Sequence, residues 1–323
     1  MPLRLAIIGL GIIGRIHLRH ASTLPGVQAV AVADQRPFFE PGLFYSPDWR
    51  AVVTRDDVDA VAICLPHALH RECAEAALEA GKHVFLEKPL ATTLADAQHL
   101  VRRAQAADRT LMVNMTHRFY PPVRRARELL REGAIGNVIS VRDYYMETID
   151  RADFPGWFFD PVQAGGGVVM TDAIHLLDRV AWLLGEPLRF VGGAGRRLEP
   201  ESAVEDCAEI LCTSRSGVPV TVGSFFCSGP KSWADGLTLF GTLGSLRVEA
   251  WSHLEWCRYG EPPRREEGYP ADLPQRERPV LGHRAALAEF VAAVREGRAP
   301  EASGADVLNA QEMVEAFYEH TAP

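Results

Sequence analysis

A lysine follows a short apolar run at His83-Val84-Phe85-Leu86-Glu87-Lys88-Pro89. Gly81 and Pro89 bound this run, which is typical of an interior strand of a parallel sheet. Ligands of such sheets bind beyond the carboxyl ends of the strands, so Lys88 stands where a bound cofactor would present its reactive face. An isolated lysine at a strand end is usually an ordinary surface residue, but the residues upstream favour a functional role.

A second group with chemical potential is Gly165-Gly166-Gly167, followed by Thr171, Asp172 and His175. The glycines allow this backbone to approach another element or a substrate closely. If an α-helix follows, Thr171 and His175 share a face within about 40°, and Asp172 lies about 60° to the other side of His175. A lone helix histidine usually has a structural role. With Lys88 and the glycines present, we expect His175 to contact substrate, and Asp172 to orient it or stabilise its charge.

A glycine-rich segment, Gly9 to Gly14, separates an apolar strand from a helical pattern. The strand is predicted over Leu3 to Ile8, and the helix runs to about Thr23. A GxGxxG match alone is weak evidence, but its position between a strand and a helix is the context that indicates a dinucleotide-binding turn. A glycine-rich turn without a ligand is the weaker interpretation here.

Each position of this turn has a predicted task. Gly9 permits the tight turn, Gly11 lets the backbone approach a pyrophosphate, and Gly14 lets the helix pack on the strand. The N–H groups of Ile12 and Ile13 at the helix N-terminus are then available to phosphates. We therefore predict that this turn binds the phosphates of a dinucleotide.

An acidic residue, Asp34, ends the second predicted strand, Gln28 to Ala33, and follows the last glycine of the turn by 20 residues. At that position a carboxylate accepts hydrogen bonds from the adenosine ribose hydroxyls. Because it also repels a 2′-phosphate, the sequence predicts NAD(H) as the cofactor. Gln35 and Arg36 complete the segment expected to contact the nucleotide, and Arg36 could reverse the preference, which leaves NADP as the alternative.

Strand and helix patterns alternate through the first third of the chain. A third strand is predicted over Ala60 to Leu65, then a helix from about Leu69 to Ala80, and a last strand over Leu111 to Asn114. Prolines and a glycine between residues 37 and 42 break any helix there, so the crossover to the third strand is predicted to be irregular. This alternation predicts a doubly wound parallel sheet, and we assign a Rossmann domain to residues 1–119.

The cofactor contacts predicted outside the glycine turn and Asp34 segment are Leu65, Pro66, His67, His70, Glu87, Lys88 and Asn114. His70 has an alternative role as the start of the next helix.

Residues 120–323 carry strand patterns joined by tight turns, and we assign them to a second domain for substrate binding and oligomerisation. The strand candidates are Val138–Thr148, Leu188–Gly192, Cys207–Thr213, Val218–Phe226, Leu237–Phe240 and Ser245–Ala250. The turns at residues 214–217 and 242–245 are predicted to join neighbouring strands in antiparallel fashion.

Two strands are apolar on both faces, so if helices cover one face of the sheet, the other requires a partner. We therefore predict a homodimer or homotetramer through this face. Helices are predicted over about 284–295 and 306–319.

Composition limits the possible partners. The 323-residue chain is 47% hydrophobic and has a formal net charge of -8, which argues against nucleic-acid binding. No apolar run approaches the ~18 residues of a membrane span. The six cysteines form no CxxC pair, so we expect reduced core residues and a cytoplasmic protein. No His, Cys or carboxylate spacing indicates a metal site.

The sequence resembles the glucose–fructose oxidoreductase, inositol dehydrogenase and MocA family. The matching residues are Gly9, Gly11, Gly14, Pro66, His70, Glu87-Lys88-Pro89, Gly165-Gly166-Gly167 and His175. The resemblance implies an NAD(P)-dependent dehydrogenase with a Rossmann domain and an α/β domain built on a large, mostly antiparallel sheet. The substrate implied is a secondary alcohol or ketone of a sugar, an inositol-like polyol or a sugar derivative. Lys88 would bind and polarise the reacting oxygen, and the Lys88–Pro89 bond is a candidate for the cis form.

A sugar site could also use aromatic and charged residues of the second domain. The candidates are Arg118, Tyr120, Tyr145, Arg151 and Trp157. Trp157 could offer a ring face to a pyranose, although each of these residues has an ordinary alternative as a surface charge or core aromatic.

Two departures from the family pattern keep alternatives open. The family has a fuller helix where this chain has Pro37 to Trp49, and many members carry Asp where this chain has Thr171. A neutral threonine cannot take over the task of a carboxylate, which leaves room for a non-catalytic dinucleotide-binding sensor. Within enzymes, the alternative is a reductase of an aldehyde, an imine-like bond or a dihydrodiol, with His175 as a bystander.

Overall fold

The computed structural model describes residues 1–199, 202–230 and 232–322. The strands are β1 Leu3–Ile8, β2 Val27–Ala33, β3 Phe44–Ser46, β4 Ala60–Ile63, β5 His83–Leu86, β6 Leu111–Val113, β7 Val138–Thr148, β8 Leu188–Arg196, β9 Cys207–Ser214, β10 Pro219–Cys227, β11 Trp233–Gly241, β12 Gly244–Val248, β13 His253–Arg258 and β14 Arg264–Glu267. The helices are α1 Ile12–Ala21, α2 Arg50–Val53, α3 His70–Glu79, α4 Leu94–Ala107, α5 Pro121–Arg131, α6 Pro161–Ala164, α7 Ile174–Leu184, α8 Arg278–Glu296 and α9 Leu308–Thr321. Within the described residues, no helix combines the length and apolar character needed to cross a bilayer.

The chain forms two compact units. One contains Met1–Met115 together with His283–Leu308, and the other contains Thr116–Gly282 together with the segment that begins at Asn309. The predicted functional division at residue 119 remains a prediction, and the compact units differ from it because most of α8 belongs to the first unit. There Phe290 of α8 packs on Phe85 of β5 with ring centroids 5.3 Å apart. The helical pattern of α8 indicates a buried face but not which unit covers it.

The first unit is built on a six-stranded parallel sheet with the order β3-β2-β1-β4-β5-β6. Every residue of β4 is buried, as expected for a strand covered on both faces. The strand order reverses between β1 and β4, and in such sheets ligands bind at the carboxyl ends flanking that point. The predicted doubly wound parallel sheet is confirmed.

One strand of this sheet was not predicted from the sequence. Phe44–Ser46 forms β3 and Arg50–Val53 forms α2, inside the crossover that the sequence predicts to be irregular. The prolines at positions 37 and 41 exclude a longer helix, but they do not prevent three residues from pairing with β2 at the sheet edge. A strand of three residues is too short to show the alternation of apolar and polar residues by which a strand is predicted.

The second unit is built on an eight-stranded sheet with the order β14-β13-β12-β11-β7-β10-β9-β8. All neighbours are antiparallel except β7 and β10, so the predicted mostly antiparallel sheet is confirmed. Both predicted turns join antiparallel neighbours, β9 to β10 and β11 to β12. The strands β13 and β14 were not predicted. Arg264–Glu267, which forms the edge strand β14, is wholly charged, a composition that protects an exposed sheet edge.

Candidate active site

The glycine turn after β1 has the close contacts that its sequence predicts. Gly9 has a φ of +89°, and a Cβ there would lie 2.4 Å from the carbonyl oxygen of Cys64. A Cβ on Gly14 would lie 1.8 Å from the carbonyl oxygen of Gly9. Around Gly11, in contrast, a Cβ would meet nothing within 4 Å. Two glycines are therefore required by the protein itself, and the third borders open space.

That open space lies at the start of α1. Gly11 is the N-cap residue, and among the described residues no side chain caps the helix and no acidic residue lies in its first turn. Ile12 is 71% exposed although it is apolar, and Ile13 is partly buried. Uncapped N–H groups beside a glycine without steric neighbours fit the phosphates of a dinucleotide. The residues present therefore suit the cofactor that the sequence predicts.

Asp34 lies beside the same turn. Its Oδ2 accepts a hydrogen bond from the backbone N–H of Leu10 at 2.6 Å, and its Oδ1 accepts one from the N–H of Arg36 at 2.8 Å. Each carboxylate oxygen has a second lone pair, so a ribose hydroxyl can still donate to it. Gln35 and Arg36 are exposed. The two backbone bonds fix the carboxylate at the carboxyl end of β2.

Lys88 lies in a turn at the carboxyl end of β5. The Lys88–Pro89 bond is cis, as proposed from the sequence, and Lys88 is partly exposed while Pro89 is buried. The ring of His70 lies between two carbonyl oxygens, 2.7 Å from that of Pro89 and 2.9 Å from that of Leu65. Burial lowers the pKa of His70. This buried ring joins the ends of β4 and β5, a position that favours the structural alternative for His70.

The other predicted contacts after β4 are neighbours of this ring. Leu65 and Pro66 are partly exposed, and His67 is buried in the short turn before α3. The rings of His67 and His70 have centroids 5.5 Å apart. Their contact with a nicotinamide remains a prediction.

A buried polar network holds Glu87, the residue before Lys88. Its Oε1 lies 3.0 Å from Nε2 of His17 and 2.5 Å from Nδ2 of Asn114, and the same amide lies 2.9 Å from Nδ1 of His283. Burial alone would raise the pKa of Glu87, but the hydrogen bond and charge of His17, with His283 and Asn114, outweigh it and lower the pKa to about 2. Glu87 is therefore ionised, and it is the residue that directly precedes Lys88.

Sequence reasoning missed His17 and His283, and it missed the proximity of Cys64. One ligand-type atom from each of His17, Cys64 and Glu87 lies within 4.8 Å of the others. Glu87 Oε1 already has two hydrogen-bonding neighbours, and burial raises the pKa of the Cys64 thiol, which disfavours the thiolate that a metal needs. We interpret the group as a hydrogen-bonded network. The only sequence signal was a histidine three residues after the last glycine of the turn.

This network predicts acid sensitivity of folding. Burial lowers the pKa of His283 from its ordinary 6.5 to about 4, so the unfolded chain takes up this proton first and stability falls as pH drops from about 6.5 to 4. Glu87 adds a loss as pH drops from its ordinary 4.5 towards 2. We expect the free energies of unfolding, measured by urea titration at pH 7.5 and 4.5, to differ by on the order of 2 kcal/mol because of His283.

A substitution isolates the histidine contribution. His283→Gln should flatten the pH dependence between pH 6.5 and 4, whereas His320→Gln, at an exposed position, should leave it unchanged. An unchanged slope in His283→Gln would contradict the assignment.

In the second unit, the turn before His175 is not an α-helix. Residues Val169–Ala173 form a π-helix, and α7 begins at Ile174. The angular relation predicted for Thr171, Asp172 and His175 was wrong because it used the α-helical step. Thr171 is buried, its Oγ1 donates to the carbonyl oxygen of Gly167 at 3.0 Å, and it lies 3.4 Å from Oδ2 of Asp172. π-Helical turns within helices often occur at functional sites.

The triple glycine before this turn packs against other protein elements. A Cβ on Gly166 would lie 2.0 Å from the hydroxyl of Tyr318, and one on Gly167 would lie 2.1 Å from the carbonyl oxygen of Glu205. The Glu205 carboxylate accepts from the N–H groups of Gly167 and Val169 at 3.1 Å, and from Tyr318 at 2.8 Å. Of the two sequence interpretations, the structure supports close approach to another element.

His175 stacks on a second histidine. The rings of His175 and His117 are 4.7 Å apart and nearly parallel, with an interplanar angle of 8°. Nδ1 of His117 lies 3.2 Å from Nη1 of Arg179, which is fully buried. Arg179 pairs with Asp143 and, at 2.7 Å, with Asp235. Burial raises the pKa of Asp143 to about 6, against the opposing charge of Arg179.

The other predicted substrate residues of this unit differ in placement. Arg118 is buried and forms a two-bond pair with Asp178 at 2.7 and 2.6 Å, which favours a structural role. Tyr145 is buried and donates to Glu147 at 2.9 Å. Burial, followed by the charges of Asp172 and Glu147, raises its pKa.

Three further candidates stand around these residues. The ring of Tyr120 is 5.3 Å from that of His117. Trp157 is partly exposed in a short turn and contacts Phe158 edge-on. Arg151 donates to Ser202 at 2.6 Å and pairs with Asp206 at 3.1 Å, so its guanidinium is engaged within the protein. Substrate contact by any of them remains a prediction.

The strand order, the glycine turn and the fixed carboxylate at Asp34 define a dinucleotide-binding protein of the Rossmann class. Residues 3–115 match the family model "Oxidoreductase family, NAD-binding Rossmann fold", and residues 123–247 match "GFO/IDH/MocA C-terminal domain". The chain belongs to the GFO/IDH/MocA family of NAD(P)-dependent oxidoreductases. The family resemblance stated from the sequence is confirmed.

Individual relatives agree with this assignment. The chain is 30% identical over 329 residues to D-apiose dehydrogenase of Paraburkholderia graminis, covering 97% of this chain and 86% of that protein. It is 31% identical to dTDP-3,4-didehydro-2,6-dideoxy-alpha-D-glucose 3-reductase of Streptomyces antibioticus, covering 78% and 74%. The structure of aldose-aldose oxidoreductase from Caulobacter crescentus with glycerol is similar at a TM-score of 0.85 and 26% identity, covering 99% and 97%. Levoglucosan dehydrogenase with NADH and levoglucosan shares the fold, with a TM-score of 0.89 at 24% identity over 100% and 98%.

Proposed function

We propose that the protein oxidises, reversibly, a secondary alcohol of a sugar, an inositol-like polyol or a sugar derivative. The observation that carries the proposal is Lys88, placed at the carboxyl end of β5, two strands from the glycine turn of β1. His70 and the ionised Glu87 fix the turn at Lys88 from both sides. The relatives named as dehydrogenases and reductases of sugars support the substrate class.

The residues divide the chemistry between them. Gly11, Ile12 and Ile13 would hold the pyrophosphate of NAD and Asp34 its ribose, and the bound cofactor would supply the hydride acceptor. We propose that Lys88 hydrogen-bonds the reacting oxygen, that His175 is the second residue able to do so, and that one of them accepts its proton. Asp172 contributes negative charge near the substrate. NADP is the alternative cofactor, through Arg36.

The test is NADH formation at 340 nm across a panel of polyols, sugars and sugar acids, each with NAD and with NADP. Cofactor binding is measured separately by titration calorimetry. We expect turnover on at least one polyol or sugar and a preference for NAD. Cofactor binding without turnover on the whole panel would contradict the proposal.

The alternative function is that of a sensor, which binds a dinucleotide and a ligand but catalyses no reaction. Thr171 favours it, because its hydroxyl donates to the carbonyl oxygen of Gly167 and the position carries no charge. Ligand binding that leaves the absorbance at 340 nm unchanged is the result this alternative predicts. A second enzymatic alternative, reduction of an aldehyde or dihydrodiol, is tested by adding these compounds with NADH.

We also propose that the open face of the second sheet forms a dimer or tetramer interface. Tyr144 on β7 and Leu211 on β9 are 40% and 44% exposed on this face. The single strand between them, β10, shows that both side chains are on one side, because Tyr144 is level with Gly223 and Leu211 with Thr221, two residues apart in β10. Light scattering at micromolar concentration should give twice or four times the 35.6 kDa chain mass.

Substitutions on that face test the interface. Leu211→Glu with Tyr144→Arg should shift the mass to the monomer, because charge is buried poorly in an interface core. Phe39→Ser removes a more exposed aromatic residue of the first unit and should leave the mass unchanged. A monomeric native protein would contradict the proposal.

We propose that the protein resides in a reducing, cytoplasmic compartment. All six cysteines are free thiols, and Cys73 and Cys212 are buried. Thiol titration of the unfolded native protein, without added reductant, should count six. A lower count that reductant restores would argue for an oxidising compartment.

A further inference from the structure

The stacked pair of His117 and His175 has a fixed neighbour that decides where a proton can reside. Arg179 lies one helical turn after His175 in α7, and its Nη1 is 3.2 Å from Nδ1 of His117. A guanidinium has only donors, so Nδ1 of His117 must be the acceptor. Neutral His117 therefore carries its proton on Nε2.

Arg179 cannot turn away from this bond. It is fully buried between Asp143 of β7 and Asp235 of β11, and it makes three hydrogen bonds to their carboxylates. Asp235 is fixed in turn, because its Oδ2 accepts from the N–H of Ala250 at 2.6 Å. Breaking one member of such a network leaves a buried charge without its partner, which is strongly unfavourable.

The charges around the pair favour a neutral His117 and a protonated His175. A proton on Nδ1 of His117 would displace the Arg179 bond and set two cations against each other. His175 faces the neutral ring of His117. The carboxylates of Asp143 and Asp235 are paired with Arg179, whose guanidinium contacts that ring. Asp172 lies in the turn before His175. One cation among two carboxylates leaves a surplus negative charge when both are ionised. Tyr120 beside His117 is a neutral phenol.

We propose that His117 is a positioning residue: Arg179 keeps it neutral, and the stacked neutral ring leaves the proton of the pair on His175. The proposal rests on the proposed role of His175 as a residue that can accept the substrate proton. It assigns the electrostatic support of His175 to Asp143 and Asp235 of the sheet. The neutral side chain at Thr171 does not supply it.

The direct test is ¹⁵N and ¹³C NMR of the full-length protein with labelled histidine, titrated from pH 5 to 9. The two resonances are assigned through His117→Gln and His175→Gln. We expect His117 to remain the Nε2–H tautomer throughout, while His175 becomes an imidazolium on the acid side. A protonated or Nδ1–H form of His117 in this range would overturn the proposal.

Asp143→Asn tests the source of the charge while keeping a side chain of the same shape. Losing the carboxylate should lower the pKa of His175 by about one unit and move the acid limb of the kcat/KM profile to lower pH. Asp206→Asn, at another buried aspartate paired with an arginine, should leave both unchanged. A loss of activity without a moved limb would indicate a structural role for Asp143 and count against the proposal.

The two proposals fail differently. The NMR titration needs no turnover, so an inactive protein with the expected histidine states overturns the dehydrogenase proposal alone. An active protein whose His117 titrates overturns this inference alone. If Asp143→Asn does not fold, the NMR tautomer of His117 in the native protein still tests this inference.

Discussion

Lys88→Met is expected to lower kcat at least about 100-fold while changing NAD affinity less than about threefold. Methionine keeps the apolar stem but removes the ammonium group that we propose to hydrogen-bond the reacting oxygen. The backbone of the turn should persist, because His70 contacts the Pro89 carbonyl and Glu87 has its own neighbours in His17 and Asn114. Steady-state kinetics on the substrate found in the panel, with calorimetric NAD titration, measures both quantities.

Lys82→Met is the matched control. Lys82 lies just before β5 in the same unit, and its ammonium donates to the carbonyl oxygens of Arg55 and Val58 at 2.7 and 2.9 Å. Its loss should lower the free energy of unfolding by about 1 kcal/mol and leave kcat unchanged. Normal turnover in Lys88→Met would refute the catalytic assignment, and a collapse of NAD affinity would instead make Lys88 a cofactor-binding residue.

The first unit was predictable because its determinants are local. The strand boundaries of β1 and β5 follow directly from apolar runs that end in Gly9 and in Glu87. The cap of α4 was equally readable, since Thr93 accepts from the N–H of Asp96 at 3.2 Å. Short or charged edge strands were not readable: β3 has three residues and β14 has no apolar one. Their pairing depends on a neighbouring strand, which sequence periodicity does not reveal.

The candidate site shows the same division. The glycine turn, Asp34 and Lys88 each lie at a strand end and could be found from the sequence. The partners that set their charge could not, since His283 joins the Glu87 network from 196 residues along the chain. Nor could the π-helix before His175, because four of its five residues are buried and their pattern shows no single apolar face from which a period could be read. Contacts between distant segments are a property of the tertiary fold.

Gly11→Ala should weaken NAD binding about 10- to 100-fold and leave the free energy of unfolding within about 1 kcal/mol of the native value. Gly11 has a φ of −65°, which alanine adopts freely, and a Cβ there meets no protein atom within 4 Å. The methyl group therefore disturbs only a ligand that approaches the turn closely. Calorimetric NAD titration and urea unfolding, carried out on the same preparation, separate binding from stability.

If this interpretation is correct, substitutions of two other glycines should lower stability, unlike Gly11→Ala, and only one of them should also weaken NAD binding. Gly14→Ala places a methyl group 1.8 Å from the carbonyl oxygen of Gly9, so the turn itself must shift and both stability and NAD binding should fall. Gly133→Ala has open space but a φ of +70°, so it should cost about 1 kcal/mol of stability without affecting NAD. Native NAD affinity in Gly11→Ala would mean that the space beside residue 11 is not where the phosphates bind. The dinucleotide would then need another location in the first unit, and the placement of Lys88 against its reactive ring would lose its basis.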